Sequence, residues 1–190
     1  MITAISARIV SKLVSSQLIE EDDTELFCYG LYIMLSNVMC FVEVVIFGLI
    51  FEILPENIVF YIFFFSLRRY AGGVHAGKEI TCIFCTTFAI LLSSCGIRVM
   101  GYIGCYGVSL VCIIVGSWAI YLLSPLDTPE KPLDSEEYIF FRKKTIIFTF
   151  GINLTAFLFY NLGMYGIFVA SSVSILLEGV LLILGKLKKQ

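Results

Sequence analysis

The residues best suited to covalent chemistry lie in one run, Arg68-Arg69-Tyr70-Ala71-Gly72-Gly73-Val74-His75-Ala76-Gly77-Lys78-Glu79-Ile80-Thr81-Cys82. It holds the chain's only histidine, with a cysteine seven residues further on. A Cys/His pair can perform acyl transfer: imidazole takes the thiol proton, the thiolate attacks a carbonyl, and the imidazolium protonates the leaving amine. Along one continuous helix, seven residues would put the two side chains on one face but about 10 Å apart, too far for a hydrogen bond. The pair therefore requires His75 on a non-helical loop that folds back toward Cys82 on the next helix. Gly72, Gly73 and Gly77 are the residue type that permits such turns. Cys82 is then expected in the first turns of a helix, where the dipole and unpaired N–H groups favour a thiolate and an oxyanion. Lys78 adds positive potential nearby. Taken singly, each residue also has a plain structural reading, the cysteine as packing material and the histidine as a hydrogen-bonded side chain.

Three other patterns share this run. Gly72 to Lys78 spells G-x-x-x-x-G-K, but Glu79 follows where a P-loop needs Ser or Thr for Mg²⁺, and no βαβ unit surrounds it. Cys82 and Cys85 form C-x-x-C, yet a thioredoxin-like context is missing and a closed zinc site would want a fourth ligand beyond His75. No metal and no cofactor is expected. Arg68 and Arg69 read with equal weight as anchors at the end of a membrane span or as substrate-binding cations.

The elements that must position these residues follow from composition. Of 190 residues 59% are hydrophobic and only 15% charged, with a mean hydropathy of +0.95, which excludes a water-soluble fold. At about 20 residues per crossing, that apolar supply suits five or six spans. Net charge is −2 and pI about 5.4, so nucleic acid is not an expected partner. Seven cysteines, an odd number placed largely within apolar runs, are expected to be reduced. Apolar segments fall at about 31–53, 56–67, 80–97, 102–123, 145–162 and 164–185. This predicts an all-α polytopic membrane protein of about six transmembrane helices, 1–190 forming a single membrane domain, the second span short or kinked. The first apolar stretch reads as a retained span rather than a cleaved leader.

Residues 1–27 form an N-terminal segment. Ile2, Ile5, Ile9 and Leu13 recur at helical spacing with Arg8 and Lys12, which predicts an amphipathic helix lying on anionic lipid. An acidic, solvated run from Glu20 to Glu25 follows it. With the amino terminus in the cytoplasm and six crossings, every one of the 13 Lys and Arg residues except Arg98 falls inside, so the positive-inside rule selects this topology. Both termini, the segment 68–82 and a Pro-containing loop 124–144 then face the cytosol. Glu43 and Glu178 sit within spans, where a carboxyl is either protonated, hydrogen-bonded within the bundle, or functional. Gly101, Gly104 and Gly107 are read as allowing close helix packing.

At Arg68, Arg69, Gly72, Gly73, His75, Ala76 and Cys82 the chain resembles the accessory gene regulator B family of Gram-positive bacteria. The signature there is a basic residue or pair, a Gly-Gly-x-His-Ala core and a cysteine seven residues after the histidine. Length, multiple spans and a Pro-containing loop with Lys131-Pro132-Leu133 extend the likeness over most of the chain. The resemblance implies a membrane-embedded cysteine endopeptidase of the bacterial cell membrane that matures a short, AgrD-like quorum-sensing precursor peptide. Cys82 would be the nucleophile and His75 the general base and acid. Such enzymes remove an acidic carboxyl-terminal part, hold the remainder as a thioester and pass it to an internal thiol or hydroxyl, closing a thiolactone or lactone. A homodimer is implied as well.

That chemistry needs no ATP: a thioester keeps much of its transfer potential, the internal nucleophile has a high effective molarity, and a water-poor site suppresses hydrolysis. Arg68, Arg69, Lys78 and the run Arg142, Lys143 and Lys144 are the candidates to attract the acidic tail, the run being read equally as a topology signal. Glu79, Glu43 and Ser66 remain open as a group orienting the imidazole. The rival function is a small transporter or channel using Glu43 and Glu178, although no pair of matching broken helices and no internal symmetry accompany them. A membrane adaptor without catalysis is a weaker rival.

Overall fold

A computed structural model describes residues 2–72, 79–126 and 134–189. Every regular element among them is helical: α1 (Ile2–Ser15), α2 (Thr24–Ile50), α3 (Leu54–Ala71), α4 (Glu79–Ile103), α5 (Tyr106–Leu123), α6 (Ser135–Asn161) and α7 (Tyr165–Lys189), with a 3-10 turn at Glu21–Asp23 before α2. Four stretches are long and apolar enough to cross a membrane: Glu21–Ile50, Glu79–Ile103, Tyr106–Leu123 and Tyr165–Lys188. The helices α3 and α6 lie outside that set because Glu56, Arg68 and Arg69 on the one, and Arg142, Lys143, Lys144 and two asparagines on the other, dilute their apolar runs.

Packing divides the chain into two units, residues 1–43 and 44–190. In the first, α1 buries Ile2, Ser6 and Val10, spaced four apart, while Ile5 and Ile9 stay exposed on the side of Arg8 and Lys12. The buried stripe thus differs from the expected Ile2, Ile5, Ile9 and Leu13 face.

The second unit is organised around α7, whose apolar stretch is 61% buried against 22% for α4 and for α5. Toward its start Phe168, Val169 and Ala170 pack with Ile53, Phe60, Phe64, Ile97 and Ala156. Further along, Ile175 and Leu182 pack with Leu67, Ala71, Ile120 and Ile152. In lipid there is little hydrophobic drive between helices, so close approach and hydrogen bonds must hold them. Both are present. A Cβ on Gly116 would lie 2.7 Å from the Ile175 carbonyl oxygen, and Gly179 sits against Gly116 from the other side, so α5 and α7 touch backbone to backbone. Buried Asn57 donates to Val44 O at 3.1 Å and to Ser94 Oγ at 2.8 Å, and Asn153 Nδ2 donates to Ser117 Oγ at 3.0 Å. Each such bond is worth about 0.6 kcal/mol within a membrane.

This close seam corrects the glycine expectation. Nothing lies within 4 Å of a Cβ placed on Gly101 or Gly107, and Gly104, at φ +72°, forms the turn between α4 and α5. The expected short second segment, 56–67, is in the structure part of an uninterrupted 18-residue helix, α3, about 27 Å long. Pro55 stands in its first turn, where a missing N–H costs nothing. The expected loop to residue 144 ends earlier, since α6 starts at Ser135 behind an Asp134 cap whose carboxylate accepts from Ser135 N at 2.7 Å.

Short connections sort the helix ends into two groups. Residues 51–53, 104–105 and 162–164 turn the chain at one end, where the rings of Tyr106 and Tyr165 stack 4.5 Å apart and Arg98 pairs with Glu52 at 3.6 Å. The opposite end gathers the end of α3, the end of α5 and the start of α6. Seven Cα steps separate Gly72 from Glu79, a reach of about 25 Å, less than a hydrocarbon core of about 30 Å. The start of α4 therefore belongs to that same end.

Candidate functional site

Cys82 is the fourth residue of α4, half-buried and free of any disulfide, as are all seven cysteines. Cys85, one turn on, is exposed. Gly73, His75, Gly77 and Lys78 lie outside the described residues, and so does the expected encounter of His75 with Cys82. Glu79 opens α4 three residues ahead of the thiol.

The segment leading toward His75 is held in detail up to Gly72. Arg68 Nη1 donates to the Gly72 carbonyl oxygen at 2.9 Å, closing the C-terminal turn of α3 with a cation where helix carbonyls are unpaired. The Leu126 amide, three residues beyond α5, donates to Ala71 O at 2.9 Å, and Gly72 and Leu126 form a parallel bridge. Gly72 has φ +78° and ψ −152°, a region reserved for glycine, and a Cβ there would meet Leu126 O at 2.6 Å. Two independent constraints thus select glycine at this position.

The same Arg68 Nη1 stands 4.0 Å from Glu178 Oε1 on α7. Glu178 is fully buried, and no described residue hydrogen-bonds either of its carboxylate oxygens. Two residues singled out separately, one as a substrate cation and one as a membrane carboxyl, are therefore partners. Glu43 is part of the first unit and partly buried.

Of the other cations, Arg69 is exposed, with its guanidinium carbon 5.8 Å from the centre of the Tyr70 ring. Tyr70 stacks on Phe148 at 5.2 Å and tilts toward Phe141 at 6.2 Å, which sets the end of α3 beside the second to fourth turns of α6. There Arg142 donates to Tyr138 Oη at 3.3 Å and lies 6.0 Å from the Tyr121 ring, Lys143 is exposed, and Lys144 Nζ is 5.5 Å from the Phe140 ring. One end of the second unit therefore carries Arg68, Arg69 and the Arg142–Lys144 run, and α4 begins there with Cys82 in its first turn. Sequence reasoning singled out each of these but not Leu126, whose backbone does the pinning and leaves no side-chain signal.

Long apolar helices with a basic end bearing a half-exposed thiol define the class: a multi-pass helical membrane protein. More narrowly, the chain belongs to the Accessory gene regulator B family, whose profile matches residues 6–182. Relatives include a protein of Clostridium perfringens (strain SM101 / Type A) named AgrB-like, 29% identical over 171 residues that cover 83% of this chain and 78% of the relative. A second AgrB-like protein, of Clostridium perfringens (strain 13 / Type A), is 27% identical over 86% of this chain and 81% of its own. An AgrB-like protein of Listeria monocytogenes serotype 4a (strain HCC23) is 28% identical over 70% of this chain and 66% of its own. No solved structure matches the chain. Membership ties the protein to the accessory gene regulator system, a family associated with peptide processing.

Proposed function

We propose that the protein is a cysteine endopeptidase that cleaves a short AgrD-like precursor and hands it on to ring closure, with six crossings of the bacterial cell membrane and the catalytic end in the cytosol. The observation that carries the reading is the place of Cys82, in the first turn of a membrane-length helix at the basic end, seven residues after His75 in a chain of this family. In this reading α3 and α6 are the two further crossings, and the exposed Ile5 and Ile9 of α1 face lipid beside Arg8 and Lys12.

The reaction proceeds in two acyl transfers. His75 takes the Cys82 proton, the sulfur attacks the scissile carbonyl, and collapse of the tetrahedral intermediate breaks the C–N bond as the imidazolium protonates the leaving amine. The acidic carboxyl-terminal fragment leaves. A thiol or hydroxyl within the retained fragment then gives its proton to His75 and attacks the thioester, freeing Cys82 and closing the ring. Amide groups at the start of α4 are suited to the developing oxyanion. Arg69, Lys78 and Lys143, with Arg142 and Lys144, draw in the acidic tail. Arg68 serves differently, because its guanidinium is turned to Gly72 O and Glu178. That partnership also gives Glu178 a role that requires no transported ion.

The test is co-expression with the cognate precursor. Cys82→Ala and His75→Ala should each abolish cleavage while membrane insertion persists. Cleavage by Cys82→Ala at the wild-type rate would overturn the proposal.

A further inference from the structure

Resting on the reading just given, we infer that Glu178 is a positioning residue: through Arg68 it fixes where α3 ends and where the segment bearing His75 departs. Three contacts meet at that departure point. Arg68 Nη1 is shared between the Glu178 carboxylate at 4.0 Å and the Gly72 carbonyl at 2.9 Å. Leu126 N holds Ala71 O at 2.9 Å. The Leu126 carbonyl closes the space a Gly72 side chain would need. Helices α3 and α7 and the stretch after α5 thus determine one exit path together.

The placement of Glu178 argues against a simple stabilising role. It is fully buried, one turn from Ile175 and from Leu182, both members of an apolar cluster with Leu67, Ala71, Ile120 and Ile152. Replacing both members of a buried ion pair by apolar side chains often costs no stability, because desolvation offsets the Coulomb attraction, whereas removing one alone strands the other. What an apolar residue at position 178 could not do is orient the Arg68 guanidinium. Without that restraint the long Arg68 side chain gains other rotamers and the Gly72 carbonyl loses its donor. His75 follows Gly72 by three residues, a chain reach of about 10 Å. A shift at Gly72 is therefore carried into the imidazole position, where proton transfer tolerates only about 2.6–3.2 Å and a displacement of 1 Å can cost about 100-fold. Glu178 touches no reacting atom in this scheme.

The experiment uses the full-length protein in lipid nanodiscs, with Cys28, Cys40, Cys85, Cys95, Cys105 and Cys112 changed to Ser, and iodoacetamide as the probe. An imidazole beside the Cys82 thiol should make alkylation at pH 6.5 faster, about ten-fold or more, than in His75→Ala, because the thiolate is the reactive form. Glu178→Leu should fall to the His75→Ala rate in the inserted, folded protein even though stranding Arg68 lowers its thermal unfolding midpoint, and Glu178→Asp should stay within about three-fold of the parent. If the Leu variant does not insert, the nearly isosteric Glu178→Gln is read in the same way. A parental alkylation–pH profile in a folded Glu178→Leu or Glu178→Gln protein overturns the inference, as does a lowered midpoint with that profile intact. If His75→Ala itself leaves the profile unchanged, the Cys/His reading is what fails.

Discussion

Replacing Gly72 by Ala separates the geometry of the exit path from the stability of the bundle. The backbone at φ +78° and ψ −152° is a region that side chains other than glycine occupy at a cost of about 1–3 kcal/mol. In addition, a Cβ would stand 2.6 Å from Leu126 O, a backbone atom that no side-chain rotation can move. Relief requires Leu126 and Ala71 to part, which forfeits their hydrogen bond at a net cost of about 0.5–1.5 kcal/mol. Together these terms disfavour the native path by about 1.5–4.5 kcal/mol. At tenfold per 1.4 kcal/mol, the population following that path falls about 10- to 1,600-fold. The strain can be relieved locally, because the contacts of α7 with α5 and of α3 with α6 do not pass through Gly72. The expected outcome is a drop of that size in the initial rate of precursor cleavage, with the folded fraction and membrane insertion preserved. Gly151→Ala, in a helix with nothing within 4 Å of the new methyl group, is the control and should keep full activity. A Gly72→Ala protein within about three-fold of the wild-type rate would refute the reasoning.

Other consequences follow from the same geometry. Gly116→Val should lower stability by about 1–3 kcal/mol, read as an earlier unfolding midpoint in detergent, because its Cβ would lie 2.7 Å from the Ile175 carbonyl oxygen in the α5–α7 seam. Arg69→Ala combined with Lys143→Ala should raise KM several-fold at low salt and flatten its salt dependence with kcat little changed, since both cations are exposed at the Cys82 end. A kcat loss at constant KM would instead assign them to the chemistry.

The sequence reveals much of this arrangement, and what it hides has a definite character. The spans now seen within α2, α4, α5 and α7 were legible as long apolar runs. The end of α3 was not, because Arg68 and Arg69 look like a terminus unless Arg68 has a partner inside, and that partner, Glu178, lies far along the chain. The early start of α6 was written in Asp134-Ser135-Glu136-Glu137, a helix-start pattern overshadowed by the apolar run that follows. Glycines mislead in the same way: Gly101, Gly104 and Gly107 show a regular spacing and no seam, whereas Gly116 and Gly179 sit in different segments and meet only in the fold. As for the candidate site, His75, Cys82 and the basic residues announced themselves by type and spacing. Leu126 acts through its backbone, so nothing in its side chain could have pointed to it.

The central claim is that the Cys82 sulfur becomes acylated by the precursor. The most direct measurement is intact-protein mass spectrometry of the enzyme in nanodiscs mixed with the precursor and quenched in acid. The expected result is a mass increase equal to the amino-terminal fragment, mapped to Cys82, released by hydroxylamine and missing in Cys82→Ala. Processing without any adduct, or an adduct that persists in Cys82→Ala, would contradict it.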